Sequence, residues 1–184
     1  MDTSETRLIE DAAAVINRRF FVNEVNVMDE QMILSRVKRF LSEISPKTQV
    51  LELDEGIHTA FLAAQALGVE VGAIAKSILF SGPTQNILVV ASGDIRIDDK
   101  KLKTMTGEKM KLADAEKVIA VTGFAPGGVC PFALATPVPI MLDESMKRFS
   151  LVYAAAGTAH TAVPVTPESL AEITGGEWAD LRKN

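Results

Sequence analysis

The stretch Lys76-Ser77-Ile78-Leu79-Phe80-Ser81-Gly82-Pro83-Thr84-Gln85-Asn86-Ile87-Leu88-Val89-Val90-Ala91 decides the fold class. Residues 76–80 read as a strand, Gly82-Pro83 turns the chain, and 86–91 read as the partner strand. Ile87-Leu88-Val89-Val90 is apolar without alternation, so this strand is expected to be buried on both faces. A sheet covered on both sides needs other layers, and helical patterns on either side of the pair supply them.

Upstream, Leu8, Ile9, Ala12, Ala13, Val15 and Ile16 follow helical spacing in the first twenty residues. A second helical pattern starts near Asp29 and uses Ile33, Val37, Phe40, Leu41 and Ile44, stopping at Ser45-Pro46. Val50 to Leu53 reads as a strand, Thr59 to Leu67 as an alanine-rich helix closed by Gly68, and 71–75 as a helical turn. Downstream, Asp98 or Asp99 caps a short helix running to Thr104 and closed by Gly107, and another helix is expected over 113–118. Gly123 to Pro139 holds three glycines and four prolines, too many for regular structure, and reads as a loop. Strands are expected at 138–142, 149–154 and 161–165, and Thr166-Pro167-Glu168 opens a last helix that Gly175-Gly176 ends. Six strands interspersed with five or six helices, outside a strict βαβ rhythm, predict a mixed α/β (α+β) fold. One domain over 46–184 with an N-terminal helical extension over 1–45 is the expected layout.

The 184 residues suit one domain with a sizeable core. At 47% apolar and 23% charged the chain is globular in composition; at 5% aromatic its core rests on Ala, Val, Ile and Leu. A net charge of −5 argues against a general coat on nucleic acid, and no DNA is expected as a partner. The single Cys130 excludes an internal disulfide, and with two histidines it is too little for a usual structural zinc site. The acidic, polar start and the lack of any ~20-residue apolar run predict a cytoplasmic protein with no membrane contact.

Five features bear on chemistry. Lys76 shares a strand face with Ile78 and Phe80, so its ammonium either snorkels to solvent or meets a carboxylate, a ligand or a water-filled cavity. Gly127-Gly128-Val129-Cys130-Pro131 is either an ordinary turn or a loop whose N–H groups converge on an oxygen. It is not a P-loop, lacking Gly-Lys-Ser/Thr. Lys100, Lys101, Lys103, Lys109 and Lys111 make a local positive excess that is either a solvated face or a phosphate contact. Cys130 has no adjacent base and reads as a bystander thiol rather than a nucleophile. His58 reads as structural, while His160, in a small-residue loop between strands, suits a pocket or the framework equally. No Ser/His/Asp signature, dinucleotide fingerprint or metal-ligand spacing is present, so neither a cofactor nor a metal is expected.

Several segments in unbroken order resemble one family. They are Ala63-Ala64-Gln65-Ala66-Leu67-Gly68-Val69, Ile74-Ala75-Lys76-Ser77, Ser92-Gly93-Asp94-Ile95-Arg96-Ile97-Asp98, Thr122 to Phe132, Leu142-Asp143-Glu144-Ser145 and Ala155-Ala156-Gly157-Thr158-Ala159-His160. Together, from about Val37 to Ile173, they resemble the YbaK family, which includes the editing insertion domain of bacterial prolyl-tRNA synthetase. The resemblance implies a compact domain with a curved, mixed, six-stranded sheet or barrel-like core around a central cavity. It implies metal-free hydrolysis of the ester bond in mischarged aminoacyl-tRNA, with the terminal ribose hydroxyl helping to activate the attack. The family's lysine corresponds to Lys76, and its Gly-x-x-x-Pro loop to Gly127 through Gly128 and Val129 to Pro131. Ser77, Asp94, Cys130, Thr158 and His160 then fall among the residues expected to bind substrate.

The expected partner is the acceptor end of an aminoacyl-tRNA, with prolyl-tRNA synthetase or an elongation factor as a further candidate and a monomer or homodimer as the assembly. Tyr153 stands where similar relatives often have tryptophan, which leaves amino-acid specificity open. Small Ala154, Ala155 and Ala156 suit alanine, serine or cysteine on tRNA-Pro. The alternatives are a non-catalytic adaptor for the aminoacyl end of tRNA or for a synthetase, and a hydrolase of another small ester or thioester.

Overall fold

The computed structural model describes residues 29–53 and 59–183, so the first helical pattern and His58 lie outside the described residues. At its centre are β2 (Ile74–Ser81) and β3 (Asn86–Ser92), antiparallel with Lys76 opposite Ala91 and Leu79 opposite Leu88. Odd residues of β2 and even residues of β3 enter one core, with Ala75, Leu79, Leu88 and Val90 beside Phe124, Phe132, Leu142, Val163 and Leu170. The other face packs Phe80, Ile87, Val89 and Ala91 against Ile95, Leu102, Met110 and Leu181. Both faces of β3 are therefore covered, as its unbroken apolar run requires.

Around this pair lie β1 (Leu51–Glu52), β4 (Lys111–Leu112), β5 (Ile140–Asp143), β6 (Val152–Ala155), β7 (Thr161–Val165) and β8 (Glu177–Ala179). Along the sheet the order is β1-β7-β6-β2-β3-β5-β8, with β4 paired to the far end of β2. The β6–β2, β3–β5 and β5–β8 pairs are parallel and the rest antiparallel. The fold is thus mixed α/β, as expected. The sheet has eight strands rather than six, and it does not close into a barrel. The two additional strands hold two and three residues, and their pairing partners lie about thirty residues or more away along the chain, so no local pattern marks them.

The described helices are α1 (29–44), α2 (Ala60–Leu67), α3 (Asp99–Thr106), α4 (Ala115–Thr122) and α5 (Pro167–Thr174). Their ends follow from local chemistry. Thr59, Asp98, Asp114 and Thr166 accept backbone N–H bonds at the starts, and Gly68, Gly107, Gly123 and Gly175 take left-handed conformations at the ends. Helix α4 begins at Ala115 and runs four residues past its expected end, because the chain meets its first left-handed glycine only at Gly123. Strand β6 starts later than expected because the Phe149 N–H closes a 3-10 turn on the Met146 carbonyl. Val37 and Leu41 of α1 are buried in the same cluster as Phe124 and Phe132. Among the described residues no helix is long and apolar enough to cross a membrane.

Candidate active site

Lys76 sits near the start of β2, half-buried, on the face it shares with Ile78 and Phe80. Its ammonium turns to the segment after β3, donating to the carbonyls of Gly93 (3.4 Å) and Ile95. An ammonium has three N–H donors, so these two leave one for a ligand. Burial pushes the Lys76 pKa below the ordinary lysine value, and nearby Arg96 adds to that, while Asp94 and Asp143 oppose it. Among the described residues the lysine pairs directly with no carboxylate, and backbone carbonyls hold it.

The segment gripping Lys76 is itself held. Arg148 Nη2 donates to Asp94 Oδ1 at 2.7 Å, and Arg148 Nε donates to the Ser145 carbonyl at 2.8 Å. The same guanidinium lies 5.1 Å from the Phe149 ring centroid. That hydrogen bond to Arg148 holds the Asp94 carboxyl below its usual range. Gly72 packs so closely under this clasp that a Cβ there would fall 2.6 Å from Phe149 and 3.0 Å from Asp94 Oδ2. Arg148 was not singled out from the sequence, and a pairing across fifty-four residues leaves no local trace.

The glycine loop leaves α4 at Gly123, whose carbonyl accepts from Arg36 Nη2 at 3.2 Å. Phe124, Cys130 and Phe132 anchor it in the core, and the chain between them arcs outward through exposed Ala125, Pro126 and Gly127. Gly127 takes φ 95°, a conformation that suits glycine. The Gly128 N–H closes a turn on the Ala125 carbonyl at 3.0 Å. Among the described residues the N–H groups of Gly127 and Val129 make no hydrogen bond. Gly128 lies against the turn before β7: a Cβ there would meet the Gly157 carbonyl oxygen at 2.6 Å and Thr158 Cα at 2.8 Å.

Between these parts lies a cavity of about 170 Å³. Its walls include Lys76, Ser77, Gly127, Val129, Tyr153 and Thr158, with Ala60 and Ala63 from α2 and Ala75, Ala154, Ala155, Ala159 and Ala162 from the sheet and its turns. The alanines of α2 were not foreseen as site residues. The Ser77 hydroxyl is buried without a hydrogen-bond partner among the described residues, an unmet polar group that a ligand would satisfy. The structure therefore brings Lys76, Ser77, Gly127, Val129 and Thr158 onto one cavity.

The remaining expected site residues lie behind or beside it. Gly128 and Pro131 are buried in the loop's packing. Asp94 belongs to the clasp. His160 is half-buried, with its carbonyl accepting from the Leu53 N–H at 2.7 Å. Cys130 is fully buried, its thiol donating to the Phe132 carbonyl at 3.4 Å, and burial pushes its pKa up to about 12. Ala156 is buried in the core rather than on the cavity wall. Among the described residues no three His, Cys, Asp or Glu side chains gather as a metal site.

This architecture has relatives. A family model for the aminoacyl-tRNA editing domain matches residues 54–173. The uncharacterised protein YwhH of Bacillus subtilis is 37% identical over 155 residues, covering 83% of this chain and 99% of that one. Proline–tRNA ligase of Bacillus subtilis is 34% identical over 128 residues, which is 67% of this chain but only 21% of the ligase. A solved structure of a candidate trans-editing enzyme for prolyl tRNA synthetase superposes with a TM-score of 0.79 at 38% identity, covering 83% of this chain and 98% of that one. The match spans β2, β3 and the loop that together build the cavity, and the chain belongs to the aminoacyl-tRNA editing domain family.

Proposed function

We propose that the protein is a trans-acting deacylase that hydrolyses the ester joining a small, non-cognate amino acid to the terminal ribose of tRNA, tRNA-Pro being the preferred carrier. The observation that carries this reading is a small cavity walled on one side by half-buried Lys76 and on the other by Gly127 and Val129, whose N–H groups make no hydrogen bond among the described residues. In the reaction, a water oxygen bonds to the acyl carbon, the carbon–ribose oxygen bond breaks, and the ribose oxygen leaves with a proton. The N–H groups of Gly127 and Val129 receive the charge that grows on the acyl oxygen, and one such donor is typically worth ~10²–10³ in rate. Because the ester is already activated, this help and correct positioning suffice.

Lys76 takes the other end of the substrate. Its remaining donor suits a ribose or phosphate oxygen of the terminal nucleotide, whereas an aminoacyl ammonium would be repelled. The ribose hydroxyl next to the ester then lies within reach to assist the water. The Ser77 hydroxyl and the alanine walls receive the aminoacyl part, and the cavity of about 170 Å³ between them suits a small side chain.

The test is release of amino acid from tRNA-Pro charged separately with Ala, Cys, Ser and Pro. The reading predicts release of one or two of the first three with prolyl-tRNA left intact. No release from any, with charged tRNA still bound, would replace it with an adaptor.

A further inference from the structure

The segment that grips Lys76 leads directly into a basic surface, only part of which lies within the lysine run visible in the sequence. Arg96 follows Ile95, whose carbonyl accepts from the Lys76 ammonium, and Arg96 stands close enough to depress the Lys76 pKa. The chain's last residues return to the same place. Ile97 bridges Arg182, the Lys183 N–H donates to the Arg96 carbonyl at 2.8 Å, and the Asp98 N–H donates to the Leu181 carbonyl at 2.7 Å. Lys100, in the first turn of α3, joins them.

Arg96, Lys100, Arg182 and Lys183 are all exposed, and among the described residues none makes an ion pair. The neighbouring carboxylates offset only part of this charge: Asp98 caps α3 and lies beside Lys100, and Asp180 pairs with Lys101 at 2.8 Å and lies near Arg182. Asp99 is the remaining one. On a chain of net charge −5, four unpaired cations beside the cavity lysine form a local positive field. Lys109 and Lys111 do not belong to it. Lys111 pairs with Ser81 at the far end of β2, five residues or ~16 Å from Lys76.

We infer that Arg96, Lys100, Arg182 and Lys183 form a lip that binds the phosphate backbone of the RNA strand whose 3′ end enters the cavity. This rests on the deacylase reading for the identity of the strand, and it adds where the strand runs: from the cavity, past Lys76, over the segment after β3 towards the C-terminal residues. Contacts of this kind hold any sequence, so the lip supplies affinity and direction while the cavity supplies selection.

The test uses the full chain carrying Arg96→Glu/Arg182→Glu/Lys183→Glu. The probe is a fluorescent hairpin with the acceptor stem and single-stranded 3′ end of tRNA-Pro, followed by anisotropy. The lip predicts that the dissociation constant rises at least ~10-fold at ~0.1 M salt, and that the slope of log K against log salt falls by about two, since each single-strand phosphate contact carries ~0.7. Lys109→Glu/Lys111→Glu should change binding by less than about twofold. The milder Arg182→Gln/Lys183→Gln, checked by thermal melting, guards against a folding defect and should weaken binding in the same direction. Equal weakening by the Lys109/Lys111 pair, or none by the triple variant, overturns the lip.

Amino-acid release by the same preparations separates the two claims. Wild type that binds through the lip but deacylates no charged tRNA leaves the lip standing and sinks the deacylase. Wild type that deacylates, with KM untouched by the triple variant, does the reverse.

Discussion

At Gly128 a single methyl group would meet three backbone atoms inside 3 Å, and backbone cannot rotate away as a side chain can. Gly128→Ala is therefore expected to push the loop off the Gly157–Thr158 turn, lowering stability by about 1–3 kcal/mol and widening the gap between Lys76 and the loop N–H groups. Gly107→Ala is the contrast. It has the strained φ of 77° but open space around it, so it should cost ~1–2 kcal/mol in a thermal melt and leave deacylation unchanged. The Lys76 pKa lies below 10.5, so its positive charge is lost earlier on an alkaline titration than that of an exposed lysine. After subtraction of spontaneous ester hydrolysis, the alkaline limb of kcat/KM should fall below that value. Asp94→Asn, by removing a nearby negative charge, should move the limb lower still. A limb that ignores Asp94→Asn would mean that Lys76 is not the titrating group. Cys130, buried with a pKa near 12, should resist a thiol reagent in the folded protein and react on denaturation. Strand alternation put Lys76 on an apolar face but left open whether it snorkels to solvent, and the family resemblance singled it out. Its partners were not legible, since they are backbone carbonyls of an irregular segment and carry no residue-type signal.

Helix ends are the elements the sequence describes best, because a cap and its helix lie within a few residues of each other. Thr59 and Gly68 bound α2, Asp98 and Gly107 bound α3, and Thr166 with Pro167 opens α5, all where residue chemistry puts them. Thr166→Ala removes the side-chain acceptor of the Ser169 N–H, a 3.1 Å bond, and should lower stability by ~1 kcal/mol in a denaturant titration without altering the cavity. Strands behaved differently. The six strands expected were those with enough apolar residues to show a pattern, while β4 and β8 exist through partners distant in sequence. Gly176 shows how such information hides: it reads as a helix stop, yet it also lets the chain pass against Leu142, where a Cβ would come within 2.8 Å.

Across the whole molecule, an acidic chain places four of the cations that make no ion pair among the described residues beside the half-buried, desolvated Lys76. The Lys100 to Lys111 run was visible as a cluster, but folding divides it between the two ends of β2 and adds Arg96, Arg182 and Lys183 at the end that matters. No linear reading could join residues 96 and 183. The cavity has the same origin, since β2, β6, the turn before β7, α2 and the glycine loop each contribute a wall. The ordered family motifs marked the lysine and the loop, and the fold brings both to one space. The most direct test of the account is single-turnover deacylation of the best mischarged tRNA-Pro by wild type and by Lys76→Ala, with folding of both verified by melting. The account predicts a loss of at least ~10²-fold in the single-turnover rate at saturating enzyme, because without Lys76 to hold the terminal ribose or phosphate the ester sits out of line with the loop, and a misplacement of about 1 Å costs about that much. A folded Lys76→Ala protein that releases the amino acid at the wild-type rate would contradict it.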